Sequence, residues 1–549
     1  MKKRKSESYL IVSSAHLGMD DDILMVFGNI ARYYGAQVYH LGPLVSDTEI
    51  RKYNKFKKDL EKARTALLVL ETSDKSTPER EAKAKEKIDE IQSHFNFIVN
   101  LQKNRIKKLR KFFPNIKFIT TEALSIPGTD EEFIYTGMNL SQYVFLAPIP
   151  PAGMAISGKP VQNRSLPYLK QMGKSWIAAH PIPSVECYPR PGLNQAYNFF
   201  TVGSLKHATF PLNTKQQSEF SQMPAAVFVL IDTETGEFHP RQLHIDYLNN
   251  KKPNPLMKEK NRKIFPMVLD DGLVFLGNKI IEVGPSDRAT VSTDDHAPYE
   301  HPGVLGALRS LNQLYQPETF INAGDAADFT SVCHHIESSL AQREGLRLKH
   351  DIISLQLLLQ AQANTPSIKH RILIDSNHHE WVTKYSDEHP ELIGMIDWKT
   401  LANEVFPEWD LYIRNDRQKE NDNIFYFGDF AIRHGDQENG LAKAERMFES
   451  GKYLCGHWHR YESYKRAIMQ GCGAKLSPTY LNGRQTNWQS QISTLTKYNG
   501  VAACNPKIVL HDKKKPLSRF AYRGEIYEIA HYVIRHPYKK IYEKIAEKT

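Results

Sequence analysis

Thr319-Phe320-Ile321-Asn322-Ala323-Gly324-Asp325-Ala326-Ala327-Asp328 is the stretch on which the fold turns. Thr319 to Ile321 reads as a short buried strand, and Gly-Asp directly after it reads as a sharp turn. A strand that ends in a turn carrying carboxylates is common, so its meaning depends on its company. Four more segments of the same design surround it. Asp294-Asp295-His296 follows an apparent strand end. Ser376-Asn377-His378-His379-Glu380 follows Arg371 to Ile374. His434-Gly435-Asp436 follows Phe430 to Ile432, and Gly456-His457-Trp458-His459 follows Tyr453-Leu454.

In an α/β sheet, residues just past the carboxyl ends of strands converge on one crevice. The five segments would bring carboxylates, imidazoles and an Asn amide together there. That nitrogen and oxygen set lacks sulfur and suits Mn, Fe, Zn or similar ions. One carboxylate between two ions can bridge them, as phosphoryl chemistry requires. A lone His at a strand end is usually a surface or hydrogen-bonded residue, and Gly-His-x-His is the most specific of the five. Their joint occurrence in this order is what carries weight.

The series D-x-H, G-D-x-x-D, N-H, H and G-H-x-H resembles the calcineurin-like metallophosphoesterase family over roughly residues 290–510. The resemblance implies that Asp294, His296 and His459 hold one metal and that Asn377, His434 and His457 hold the other. It implies that Asp325 bridges them, that His378 is the catalytic histidine, and that Asp328 is the carboxylate orienting it. Two departures touch the fine geometry: Ser376 stands where the family has glycine, and His379 where it has an acid. Residues 468–488 (IMQGCGAKLSPTYLNGRQTNW) and 294–308 (DDHAPYEHPGVLGAL) are similar to segments of phage-encoded members. Arg484, Asn487 and Trp488 are the residues there that would line the substrate side.

The first half reads as a worn copy of the second. YLIVSSAHLG (9–18) puts Ser14 at the first Asp position and keeps His16. HLGPLVSD (40–47) puts Pro43 at the bridging position. WIAAHPIPS (176–184) parallels YLCGHWHRY (453–461), with His180 kept and Ile182 in place of the last ligand. NFFTVGS (198–204) and AAVFVLIDTETGEF (225–238) parallel the strands that close the second half. Proline cannot bridge metals and isoleucine cannot bind one, so this copy is expected to have lost its site.

The expected architecture is therefore α/β: a four-layer metallophosphoesterase-like β-sandwich flanked by helices, duplicated, with a helical hairpin inserted in the N-terminal copy. The 549 residues exceed one core at about 150 residues per domain. Expected boundaries are 1–248 for the degenerate copy, 249–289 for a linker and hairpin, and 290–549 for the catalytic copy with a basic C-terminal tail. Residues 249–263 (NNKKPNPLMKEKNRK) supply the linker and 273–283 (LVFLGNKIIEV) a hairpin around Gly277-Asn278. YLIV (9–12) and QVYHL (37–41) read as strands around a helix at 23–34. In 49–113, Ile88, Ile91, Phe95 and Ile98, then Ile106, Leu109 and Phe113, keep helical spacing, and Ser73 to Pro78 breaks the run. That arm ends in Lys103, Arg105, Lys107, Lys108, Arg110 and Lys111, a solvated face, an oligomerisation arm or a phosphate-contacting one.

Seventy-two Lys and Arg against 62 Asp and Glu give a net charge of +10, which favours polyanionic partners. Five scattered cysteines without a CxxC pair argue for a reducing compartment. Met1 to Lys5 looks like the start of a signal peptide, but the apolar run behind it is too short, so it reads as a strand behind a basic tail. No run of about 18 apolar residues predicts a membrane helix. The charge and cysteine pattern suit a cytoplasmic protein with a polyanionic partner, and the resemblance to phage-encoded members implies the expected function: a two-metal-dependent deoxyribonuclease, homo-oligomeric, that degrades host DNA during phage infection. Two divalent ions are expected, Mn first and Mg, Fe or Zn as alternatives, with DNA as partner and no membrane. The ligands suit equally a phosphatase or phosphodiesterase on RNA, protein or small molecules. A non-catalytic nucleic-acid scaffold is the third option, disfavoured by the complete ligand set.

Overall fold

Strands buried on both faces read as near-continuous apolar runs, and successive side chains enter opposite layers. The computed structural model describes the chain apart from residues 14–18, 43, 45–46, 74–75, 121–132, 136, 149–168, 170–171, 190–195, 207–222, 249–264, 334–344, 393, 414–422, 437–439, 449, 478–485 and 547–549. In strand Ser6–Ser13, Leu10 and Val12 enter one apolar cluster and Ile11 another. Phe320 and Ile321 of strand Thr319–Asn322 part in the same way. So do Leu373 and its neighbours Ile372 and Ile374 on strand His370–Ile374. Fully buried side chains such as Leu10, Phe228 and Phe320 each stabilise the fold by roughly 1.5–3 kcal/mol.

These strands build two six-stranded sheets with one plan. In the second half the order is Val501–Ile508, Gln491–Tyr498, Arg288–Ser292, Thr319–Asn322, His370–Ile374, Asp410–Tyr412. In the first half it is Phe238–His244, Ala225–Asp232, Ser6–Ser13, Gln37–Leu41, Lys117–Ile119, Phe133–Ile134. Each begins with an antiparallel hairpin laid antiparallel on the first of four parallel strands.

A ten-stranded sheet covers the inner faces of both. Five strands come from each half, again in matching order and direction, and they join edge to edge where Glu462–Tyr464 runs antiparallel to Ser184–Tyr188. Helices close the outer faces: Asp21–Tyr33 and Pro78–Phe112 over one six-stranded sheet, Pro302–Tyr315 and Leu348–Ala363 over the other. Leu441–Met447 packs on the ten-stranded sheet. The molecule is thus mixed α/β, with helices outside the six-stranded sheets and the ten-stranded sheet against their inner faces.

The expected strands at 9–12 and 37–41 and the helix between them are present as Ser6–Ser13, Gln37–Leu41 and Asp21–Tyr33. The arm is two helices, Asp47–Glu71 and Pro78–Phe112. Thr77 caps the second by accepting from the Arg80 amide, and Pro78 sits where its missing N–H costs nothing. Ile50, Tyr53 and Ile98 form its seam, with Tyr53 stacked on Phe95 at 4.7 Å. Part of the basic cluster anchors the arm: Arg105 pairs with Glu49 at 3.0 Å and Lys108 with Asp21 at 2.6 Å.

The hairpin around Gly277 is present, and it belongs to a four-stranded sheet with Asp246–Tyr247 and Pro266–Asp270. The expected linker, 249–263, lies outside the described residues. The basic N-terminus differs from a tail. Lys2–Arg4 pairs with Glu525–Ala530, and Arg4 forms a nearly buried ion pair with Asp232 at 2.7 Å. Among the described residues no helix is long and apolar enough to cross a membrane. All five cysteines are buried free thiols.

Candidate metal centre

Every ligand candidate lies just past the carboxyl end of a strand. Asp294 and His296 follow Arg288–Ser292, Asp325 follows Thr319–Asn322, and Asn377 follows His370–Ile374. His434 follows Phe430–Ile432, while His457 and His459 follow Tyr453–Cys455. The first three strands belong to a six-stranded sheet and the last two to the ten-stranded one. The candidates therefore meet where the two layers of the sandwich open.

The backbone there is held out of its ordinary range. Asp294, His296, Asp325, His457 and His459 have φ of 52, 50, 49, 69 and 57°. Left-handed backbone at a non-glycine residue costs roughly 1–2 kcal/mol. Hydrogen bonds hold it: Asp294 N to Gly324 O at 3.0 Å, His296 N to Asp325 O at 2.9 Å, Gly456 N to His434 O at 2.8 Å. The amide of His457 donates to both carboxylate oxygens of Asp294 at 2.9 and 3.0 Å. Strain of this kind clusters where side chains must be aimed. Gly324, at φ 99°, is a required glycine, because a Cβ there would meet His434 Nδ1 at 2.6 Å.

Ligand atoms from Asp294, His296, Asp325 and His459 lie within 4.8 Å of one another, and so do those of Asp325, His434 and His457. Asp325 is common to both groups. Asn377 Oδ1, 3.0 Å from His434 Nε2, adds an amide oxygen to the second. The structure thus brings together all seven residues expected as ligands. Asp325 Oδ1, His457 Nδ1 and His459 Nδ1 are buried without a hydrogen-bond partner, and His296 Nε2 faces His459 Nε2 at 3.1 Å. Buried polar atoms are ordinarily paired. The nitrogen and oxygen donors of this cluster are of a kind that could hold divalent cations.

Charge supports the same picture. Burial opposes ionisation of Asp325, but His378 and His434 beside it hold the carboxylate well below its ordinary range. Burial likewise opposes protonation of His296, yet the hydrogen bond to Asp328 and the surrounding carboxylates raise it to about 9. His434 is raised to about 10, with Asp325 outweighing its burial. The carboxylates thus favour the charged forms of His296 and His434, whereas burial lowers His378 and His457.

His378 opens helix Asn377–Glu388. Its Nδ1 donates to the Asp328 backbone carbonyl at 2.7 Å, and its Nε2 lies 3.8 Å from Asp325 Oδ2. The Asp328 carboxylate is 3.9 Å from His378 but 3.0 Å from His296 Nδ1. The orienting contact expected from that carboxylate is therefore made by its main chain, and the carboxylate fixes a metal-ligand candidate instead. Ser376 needs no glycine, since its φ of −146° is ordinary extended backbone. His379 is core, stacked on Trp398 at 4.3 Å.

The expected substrate residues part company. Arg484 lies outside the described residues. Asn487 Nδ2 donates to the Cys187 carbonyl at 3.2 Å, so it fastens this loop to the first half. Trp488 packs edge-on against His459, ring centres 4.2 Å apart. Of the worn-copy positions, Ser14, His16 and Pro43 lie outside the described residues. His180 is buried after Ser175–Ala178, the strand that matches Tyr453–Cys455, and Ile182 is buried two residues on.

Sequence reasoning gave Asp295 no role. It is buried and accepts from Ser292 Oγ, Asn322 Nδ2 and Gln362 Nε2 at 2.9, 3.0 and 2.8 Å. Burial pushes its carboxyl up to about 7 against those bonds. Its position inside the Asp-Asp-His segment was the available signal; Gln362, in the last turn of helix Leu348–Ala363, gave none.

No protein-family model matches this chain, and no curated protein matches it in sequence.

Proposed function

We propose that the chain is a two-metal phosphodiesterase that hydrolyses DNA, built from two metallophosphoesterase-like halves of which the second carries the site. The observation that carries this reading is Asp325, a buried carboxylate common to two ligand groups. The matched strand orders of the two halves support the duplication.

Bound there, two divalent ions supply a nucleophile at neutral pH and neutralise charge gathering on the phosphoryl oxygens. Asp294, His296, Asp325 and His459 would hold one, and Asp325, Asn377, His434 and His457 the other; manganese suits this nitrogen and oxygen set. Asp328 keeps the His296 ring in register through Nδ1, as partners of ligating histidines do. His378 spends Nδ1–H on a carbonyl, so its Nε2 would give a proton to the leaving oxygen from the imidazolium form, which burial opposes and the Asp325 and Asp328 carboxylates favour. The amide of His457 and the Thr293 hydroxyl, 2.8 Å from Asp294 Oδ2, fix that carboxylate without using its charge.

DNA as substrate rests on the net charge of +10 and on the arm. Arg51, Lys55, Lys58 and Lys62 recur along one exposed face of its first helix, and Lys103, Lys107 and Arg110 along the second. Such rows match phosphate backbones and make binding salt-dependent.

Plasmid cleavage with Mn, Mg, Zn or no metal, beside Asp325→Ala and His378→Ala, tests the proposal. Cleavage that needs metal and disappears in both variants is expected. Plasmid and a single-stranded oligonucleotide both left intact under every metal would remove the DNA reading.

A further inference from the structure

Between the two histidines of Gly456-His457-Trp458-His459 stands a residue the proposed hydrolysis does not use. Trp458 is 40% exposed, whereas Trp176, Trp381, Trp398 and Trp409 are buried. Its ring stands edge-on to His457 with centres 5.4 Å apart, so it borders the metal-ligand candidates directly. The left-handed φ of both neighbours, 69 and 57°, turns the indole outward while His457 and His459 turn in. Arg460 Cζ lies 5.3 Å from the ring centre, and Glu462 holds that guanidinium at 3.0 Å.

Leaving a large apolar ring in water forfeits the stabilisation that burial would bring. A rigid indole with a cation on it has a specific use, since every nucleobase offers a π-face and an aromatic ring gains by stacking on it. Inside a duplex those faces are taken by neighbouring base pairs. A base is open to stacking only when unpaired, at a single strand or after extrusion from the helix.

We infer that Trp458, backed by Arg460, is a stacking platform for an unpaired base next to the scissile phosphodiester, so that the site takes single-stranded or locally opened DNA. This inference rests on the nuclease reading proposed above. It assigns Trp458 to positioning, since stacking acts on the substrate's base and not on the reacting phosphate.

The test uses the full chain loaded with manganese. The substrates are a short oligothymidylate and an abasic oligonucleotide of equal length. Binding is read from tryptophan emission in the His378→Ala protein, and KM from cleavage by the otherwise unaltered chain. Oligothymidylate should quench the emission and the abasic strand should not. The abasic KM should exceed the oligothymidylate KM by about tenfold, the span expected for one stacked base. Trp458→Ala should collapse that ratio towards one, and Trp458→Phe should restore most of it. Equal KM values in the wild type, or a ratio that survives in Trp458→Ala, would overturn the platform and leave the nuclease standing. Quenching by oligothymidylate without cleavage of either strand would keep the platform and remove the nuclease. Neither binding nor cleavage would remove both.

Discussion

Gly456→Ala adds a single methyl group and should abolish the metal centre while leaving the fold intact. A Cβ at Gly456 would overlap Thr293 Oγ1 and Asp294 Oδ2. These two atoms are hydrogen-bonded to each other at 2.8 Å, and the adjoining His457 amide clamps Asp294 from the other side. Neither can yield alone. Reaching ordinary contact at about 3.5 Å requires the Asp294 carboxylate or the Gly456 backbone to retreat by roughly 1 Å. Overpacking on this scale costs about 1–3 kcal/mol, which a chain of this size survives. A displacement of about 1 Å at a reacting centre costs on the order of 10²-fold in rate. The assays are metal content by elemental analysis, manganese-dependent plasmid cleavage and thermal unfolding, beside Gly284→Ala. Gly284 has ordinary backbone, and its nearest neighbour to an added Cβ lies 4.0 Å away. The variant should lose metal and about 10²-fold in activity with a modest fall in melting temperature, while the control matches the wild type. A Gly456→Ala protein with full metal and undiminished cleavage would show the clamp on Asp294 to be unimportant.

Asp328→Asn and His378→Ala should fail differently. The first loosens His296 and should lower metal affinity roughly 10–100-fold, and the second should keep both ions and lose cleavage; equilibrium dialysis with manganese separates them. Asp325→Asn, which keeps shape and removes charge, should bind fewer than two ions per chain by calorimetry, and an unchanged stoichiometry would refute its shared position. Lys452→Met leaves the buried Asp429, 3.0 Å away, without its cation and Asp246, 2.9 Å away, with Arg466 alone, and should cost about 3–5 kcal/mol in urea unfolding; adding Asp429→Asn should recover part of it. Burial lowers His239 from 6.5 to about 4 in the folded chain. Its contribution is therefore present above pH 6.5 and lost as pH falls towards 4, on the order of 3 kcal/mol in all. The melting temperature of His239→Leu should fall less steeply with acid over that window than the wild type's; parallel curves would assign the acid loss elsewhere.

The cluster of ligand candidates was legible in the sequence because each member follows a short apolar strand, and local pattern carries that information. Gly324-Asp325 and Gly456-His457 also announce the left-handed turns that aim the side chains. Asp328 was legible as a site residue but not in its contact, since Nδ1 of His296 and Nδ1 of His378 compete for it across the turn. Asn487 was legible as a polar loop residue, yet its partner is Cys187, 300 positions away. Trp458 was passed over because a residue type says nothing about exposure.

By itself, then, the sequence showed several of the strands, which residues stand at their ends, and that the seven ligand candidates all fall in the second half. Periodicity, turn chemistry and chelating side chains are properties of short segments. Only the tertiary structure decided that Ser184–Tyr188 and Glu462–Tyr464 pair edge to edge, making one ten-stranded sheet of two halves, and that Lys2–Arg4 closes on Glu525–Ala530. Backbone hydrogen bonds between strands are nearly the same for any sequence. Partners so far apart along the chain are selected by which apolar faces and buried charges fit together, and no short segment records that.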